Sequence, residues 1–303
     1  MAAPQFDVVI PIKADDWKKA ARTIEGVRKF IRPRDIVIIA SKALLQDDSF
    51  QNSQCRFIDE NELLEGLTLP RCRELMTVHG MDTSRTGWYF QQFLKLGYSF
   101  VCKDEYYLVW DADTIPLREI TFFQEDGKPI FDLKPEYHAP YFDSIEKLLG
   151  LGKAIPESFI AEHMLMHAGM VREMLACMEK HADGSLKGKR WYEKVLHAAS
   201  QTGSPSGFSE FETVGTFVMH RYPEVYAFRK LKTFRFGSML FRTNVEERYL
   251  AWAGQELDTI SFETWNKHYV FLGRMINFSP SSFRSLTLSI YFYRCTLFFL
   301  SWG

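Results

Sequence analysis

Residues 7–41 read DVVIPIKADDWKKAARTIEGVRKFIRPRDIVIIAS. Two short runs rich in Val and Ile, Asp7 to Ile12 and Asp35 to Ser41, flank a helix-like stretch from Trp17 to Phe30. Apolar runs of that length predict buried strands, and the helix between them makes a βαβ opening. The alternation continues downstream. Arg56 to Asp59 is a short third strand, Arg71 to Val78 fits either state, and Gly87 to Leu96 (GWYFQQFLKL) predicts a helix ended by Gly97. The next strand starts at Tyr106 and ends in Asp111. Such a pattern predicts an α/β fold with a mainly parallel sheet, helices on both faces and a ligand crevice beyond the strands' carboxyl ends. Lys13, Lys42 and Asp111 fall along that edge.

The last of these strands leads into Asp111-Ala112-Asp113-Thr114-Ile115-Pro116. If the segment stays extended, residues i and i+2 point the same way, so Asp111 and Asp113 face one cation while Ala112 turns inward. Carboxylates suit Mg²⁺ or Mn²⁺, which share their remaining positions with a diphosphate. A solvated turn at a strand end is the plain alternative.

Composition narrows the classes. The 303 residues are 46% hydrophobic and 25% charged, enough for a large core, and 37 Lys and Arg balance 38 Asp and Glu, which argues against nucleic acid as a partner. Cys55, Cys72, Cys102, Cys177 and Cys295 are scattered without C-x-x-C spacing, so neither a zinc site nor a disulfide framework is expected and a reducing, cytoplasmic location fits. The first residues show no basic stretch followed by an apolar one, so no secretory signal is expected. Polar, Gly-rich stretches at 199–207 and 183–189 are candidate mobile loops.

In the helix before the two aspartates, Phe90, Phe93, Leu94 and Gly97 form a core stripe, and Trp88, Gln92 and Lys95 fall on a second, polar face that either looks into the cleft or meets solvent. GWYFQQFLKL, some ten residues, and then YYLVWDADTIPL resemble nucleotide-sugar glycosyltransferases of the GT-A class. They are especially similar to a poorly characterised domain family in which a W-x-x-Q-Q-x-x-K helix precedes the D-x-D strand. The likeness extends loosely through residues 162–175 and 207–215, and Trp88, Gln91, Gln92, Lys95, Asp111, Asp113, His163, Ser209 and Glu210 match. It implies a Rossmann-like GT-A domain over residues 1–240 with a C-terminal extension over 241–303, for which no counterpart is recognised. It further implies a nucleoside diphosphate-sugar donor, a UDP-sugar foremost, bridged by Mn²⁺ or Mg²⁺ at Asp111 and Asp113. Trp88, Gln92, Lys95 and Asp111, with Lys13 and Lys42 on the sheet edge, would surround the nucleotide; His163 and Ser209 would touch substrate. The acceptor would be a glycan, a lipid-linked glycan or a protein hydroxyl.

Ser209 and Glu212 have capping-box spacing, which starts a helix at Glu210, occupies Glu212 and leaves Glu210 free. An inverting transfer needs a carboxylate to take the acceptor's proton, and Glu210 is the candidate; complementing the helix dipole is the alternative. His163, beside Met164 and Met166, is either a sugar contact or a core residue. His220 lies about 15 Å along the same helix from Glu210, too far to share one compact site, and the third metal ligand stays unassigned. Arg229, Lys230, Lys232 and Arg235 are either a diphosphate clamp or a solvated face.

Residues 286–302 (LTLSIYFYRCTLFFLSW) are apolar except for Arg294, which would cost on the order of 3 kcal/mol at the centre of a membrane span. Packing on the domain or peripheral membrane contact is expected instead of a span. Two rivals remain. Asp111 to Thr114 also fits the D-x-D-x-T of haloacid-dehalogenase-like phosphatases, but the acidic pair such an enzyme needs downstream is missing; a non-catalytic nucleotide- or glycan-binding domain is the other.

Overall fold

A computed structural model of the chain describes residues 4–180, 185–241 and 245–263. Its strands are β1 (Asp7–Pro11), β2 (Ile36–Ala40), β3 (Arg56–Asp59), β4 (Tyr106–Trp110), β5 (Thr114–Pro116), β6 (Ile130–Asp132), β7 (His163–His167), β8 (Ala227–Arg229), β9 (Thr233–Phe234) and β10 (Thr259–Ser261). The α-helices are α1 (Ala21–Gly26), α2 (Asp48–Gln51), α3 (Leu69–Val78), α4 (Thr86–Gly97), α5 (Ala139–Leu149), α6 (Ala168–Lys180), α7 (Trp191–Ser200), α8 (Glu210–Arg221), α9 (Gly237–Leu240) and α10 (Glu247–Ala253).

The main sheet has the order β3-β2-β1-β4-β7. Its first four strands are parallel, and β7 closes the edge antiparallel to β4, with Trp110 opposite His163. Every residue of β1, β2 and β4 is buried, so both faces are covered by other elements, as a parallel sheet requires. The mainly parallel α/β sheet anticipated from the alternation is therefore present. The helix expected over Trp17 to Phe30 forms in three windings, a 3₁₀ turn at Ala14–Ala20, α1, and a π turn at Val27–Ile31. Arg71 to Val78, ambiguous by pattern, lies within α3, started by Thr68 accepting the Arg71 amide.

Two smaller sheets sit beside the first. β10 pairs antiparallel with β5 and parallel with β9, and β6 pairs parallel with β8. Ile115, Leu117, Phe241, Leu250 and Ile260 form a second small core there. Residues 259–263 thus pack on the segment that follows the two aspartates. Among the described residues no helix is long and apolar enough to cross a membrane. The apolar stretch 286–302, with Arg294 and Cys295, lies outside the described residues, as does part of the candidate loop at 183–189. The other candidate loop is tied down: the Tyr89 hydroxyl donates to the Pro205 carbonyl and accepts the Gly207 amide, and Arg85 donates to Ser206.

Candidate active site

β4 ends at Trp110, and the chain turns at once. The Thr114 amide donates to the Asp111 carbonyl at 3.1 Å, closing a four-residue turn before β5. The two aspartates therefore stand at the first and third positions of a turn, not on one extended strand. Ala112 nevertheless packs on the core, as expected of the residue between them. The turn is braced from both sides. The Asp111 amide donates to Glu162, the Phe262 amide donates to the Asp113 carbonyl, the Trp110 indole donates to the Thr114 carbonyl, and the Thr114 and Ser261 hydroxyls lie 2.8 Å apart.

The core stripe of α4 is as anticipated, with Phe90, Phe93, Leu94 and Gly97 all buried. Its second face is also buried. Gln92 is 2% and Lys95 3% exposed, because α8 lies against them. The Lys95 ammonium is 2.7 Å from an oxygen of Asp111 and 2.7 Å from Oε1 of Glu210, and it stands 4.5 Å from the Phe211 ring. Three residues earlier, Gln92 accepts the Glu210 amide at 3.0 Å. Glu210 is therefore not free; its backbone and its carboxylate are both held by α4.

Burial alone would strip the proton from Lys95, but Asp111 and Glu210 outweigh it and hold the ammonium above the usual lysine range. On Glu210 burial pushes the carboxyl upward against the pull of Lys95. Asp113 is open to solvent while many protein atoms surround it. Those surroundings, with the negative charges of Asp111 and Glu263, push it up to about 7. It makes no ion pair among the described residues. Beside it, Arg235 joins Glu263 at 2.9 Å, Glu136 at 3.0 Å and Glu162 at 3.4 Å.

Several expected roles do not survive this arrangement. His163 cannot touch a sugar in this structure: it is 1% exposed, stacked on Trp110 at 4.6 Å, with Nε2 2.9 Å from Asp132, which also holds Arg229 through two bonds. Ser209 is buried, and its hydroxyl accepts the Glu212 amide as a helix cap instead of facing substrate. The capping box is only half formed, because the Glu212 carboxylate turns away to accept Ser158 Oγ and the Phe159 amide. Lys42 lies two strands from β4 and is held by Asp59 and Glu62. The basic run is divided: Arg229 goes to Asp132, Lys230 to Glu157 and Arg235 to the acidic group beside Asp113, so it forms no common clamp. His220 is at the surface and bonds the Gly152 carbonyl at 2.9 Å.

Lys13 is exposed at the end of β1, with its ammonium against Gly87 in the first turn of α4. Trp88 is half-buried, with the Arg85 guanidinium stacked over it at 4.5 Å. The structure thus brings together Lys95, Gln92, Asp111 and Glu210, with Asp113 beside them. It adds Glu263 and Arg235 to the surroundings. Arg235 was legible only as part of a charge run, and Glu263 carried no signal, since β10 before it is three residues long.

Among the described residues no three His, Cys, Asp or Glu side chains are grouped to hold a metal ion. The donor set still suits a hard cation that draws the rest of its shell from a ligand. Asp113 is an unpaired carboxylate beside two more, and a divalent cation would relieve that crowding.

Residues 4–225 match the model of DUF6492, a family of unknown function. No curated protein matches the chain. Among solved structures the chain is similar to the galactosyltransferase LgtC in complex with donor and acceptor sugar analogues, at 10% identity and a TM-score of 0.45, over 92% of this chain and 99% of that one. It is similar as well to mouse xyloside xylosyltransferase 1, at 10% identity and 0.40, over 85% and 97%. GlyE of Streptococcus pneumoniae aligns at 11% identity and 0.41, over 96% and 64%. Scores below 0.5 leave the function to be argued from the site itself.

Proposed function

The chain belongs to the DUF6492 family, and we propose that it is a metal-dependent glycosyltransferase that moves a sugar from a nucleoside diphosphate-sugar to a hydroxyl acceptor with inversion. The observation that carries this reading is the Lys95 bridge, which joins Asp111 at the carboxyl end of β4 to Glu210 at the start of α8 beside the unpaired Asp113. Asp111 and Asp113 would hold Mn²⁺ or Mg²⁺, whose chemistry there is to neutralise the departing diphosphate.

Glu210 would take the acceptor proton once its carboxylate, 4% exposed in this structure, opens to the acceptor. As the acceptor oxygen bonds to the anomeric carbon, the bond from that carbon to the phosphate oxygen breaks and the nucleoside diphosphate leaves with the electron pair. Burial suits Glu210 to this task, because it raises the carboxylate's affinity for a proton. Lys13, exposed just beyond β1, would meet phosphate.

A thermal-shift screen of UDP-, GDP- and CMP-sugars with and without Mn²⁺ tests the proposal. One nucleotide should raise the melting temperature only when the cation is present, and Asp113→Ala should abolish the shift. Equal stabilisation in chelator, or no loss in Asp113→Ala, would sink the metal site. Once donor and acceptor are known, Glu210→Gln should keep donor affinity and lower turnover by about 10² to 10⁴-fold. A product that retains the donor's anomeric configuration would remove Glu210 from the role of base.

A further inference from the structure

Building on the transferase reading, we infer that Lys95 does not bind the donor but is a positioning residue, the internal counter-ion that fixes Glu210 against Asp111. A primary ammonium has three N–H donors. Two of them are taken by carboxylate oxygens at 2.7 Å, and the Phe211 ring covers the ammonium at 4.5 Å. At 3% exposure the group offers no open side to a phosphate.

The wider arrangement has the same sense. Gln92 and Lys95 sit three residues apart, on one face of α4. One takes the backbone amide of Glu210 and the other its side chain, so a single helical turn sets both the position and the direction of that carboxylate. On its other side Lys95 reaches the turn that follows β4. α4 is thereby the part that keeps the acid at the start of α8 in register with the aspartate at the end of β4. A cation that stays open to an incoming diphosphate is Lys13, which is exposed and has no ion-pair partner among the described residues.

Lys95→Met leaves two neighbouring carboxylates without their cation, and the melting temperature should fall by on the order of 10 °C. Adding Glu210→Gln should recover half or more of that loss, since one stranded charge is gone. In the same double variant, which is the better folded one, the affinity for UDP with Mn²⁺ should stay within about threefold of the parent or tighten. Lys13→Met should weaken it about tenfold or more, the cost of a lost charge-assisted contact. Where turnover can be followed, Lys95→Met assayed below its melting transition should keep the donor KM within about threefold and lose about 10²-fold in kcat, the scale of a misplaced catalytic group.

Melting losses for Lys95→Met and Glu210→Gln that merely add would overturn the coupling. A tenfold loss of UDP affinity in the double variant would return Lys95 to the donor site, and a normal kcat would reduce the bridge to a structural contact. The melting cycle needs no substrate, so it decides the coupling even if the nucleotide screen fails and the transferase proposal falls with it.

Discussion

Replacing Gly215 by alanine sets two opposed effects against each other. Gly215 lies inside α8, where glycine costs about 1 kcal/mol relative to alanine, so propensity alone predicts a stabilised protein. A methyl built on Gly215, however, would stand 2.7 Å from Cδ1 of Phe159 and nearer still to two other atoms of that ring. Carbon atoms pack at about 3.5 to 4.0 Å, so helix and ring must separate by about 1 Å. Phe159 has little room to give: it is 1% exposed, its ring meets Phe131 edge-on at 5.5 Å, and its amide donates to Glu212 of the same helix. Overpacking of this kind costs about 1 to 3 kcal/mol. With backbone on one side of the clash the upper end applies, and the net loss should be on the order of 2 kcal/mol. Urea denaturation followed by circular dichroism measures it. The decisive control repeats the substitution in a Phe159→Ala background, itself weakened by about 3 to 5 kcal/mol, where the ring is absent and Gly215→Ala should now stabilise. A gain of about 1 kcal/mol with Phe159 intact would refute the close approach of α8 to this ring.

Further outcomes are expected elsewhere. Phe93→Ala removes a fully buried ring that meets Trp191 at 5.4 Å and should cost about 3 to 5 kcal/mol in the same assay; a loss below 1 kcal/mol would contradict the core stripe of α4. Gln92→Ala strips the acceptor from the buried Glu210 amide and should cost about 1 to 3 kcal/mol, unless stability is unchanged, in which case that bond does not bear on the fold. Burial alone would raise Asp132, but Arg229 and His163 hold it down at about 2. Its folded value lies below the ordinary 3.8, so it adds stability above pH 4 that is lost as pH falls from about 4 through about 2, roughly 2 kcal/mol in all. In Asp132→Asn the acid limb of stability against pH should be shallower across that window, and an unaltered limb would exclude Asp132 as its source.

The parts that were legible in the chain are those written locally. β-branched runs gave β1 and β2 and the aromatic-rich Tyr-Tyr-Leu-Val-Trp gave β4, because strands buried on both faces need little but apolar residues, and the spacing of Phe90, Phe93 and Leu94 gave the phase of α4. Local pattern could not show what the other face of that helix meets. Lys95 and Glu210 are separated by 115 positions, and nothing in either neighbourhood records that one neutralises the other. For the same reason the sequence leaves His163 open between sugar contact and core, since its partners Asp132 and Trp110 come from β6 and β4 and make a buried imidazole acceptable. Extended chain and turn both fit Asp111 to Thr114 in the sequence, because Thr114 and Ile115 are themselves strand formers; they do form β5, but only after the chain has changed direction.

The hydroxyl pair of Thr114 and Ser261 spans 147 positions. During synthesis β1 to β4 and their helices can assemble through short loop closures, well before the ribosome has released residue 261. Contacts that close so long a loop are slow to form. The turn carrying both aspartates should then acquire its final shape after the sheet that bears it, as the last folding event and not the first. A chain halted near residue 255 should display native hydrogen-exchange protection in β1, β2 and β4 while the Leu117 amide, whose partner is the Asp258 carbonyl, exchanges freely.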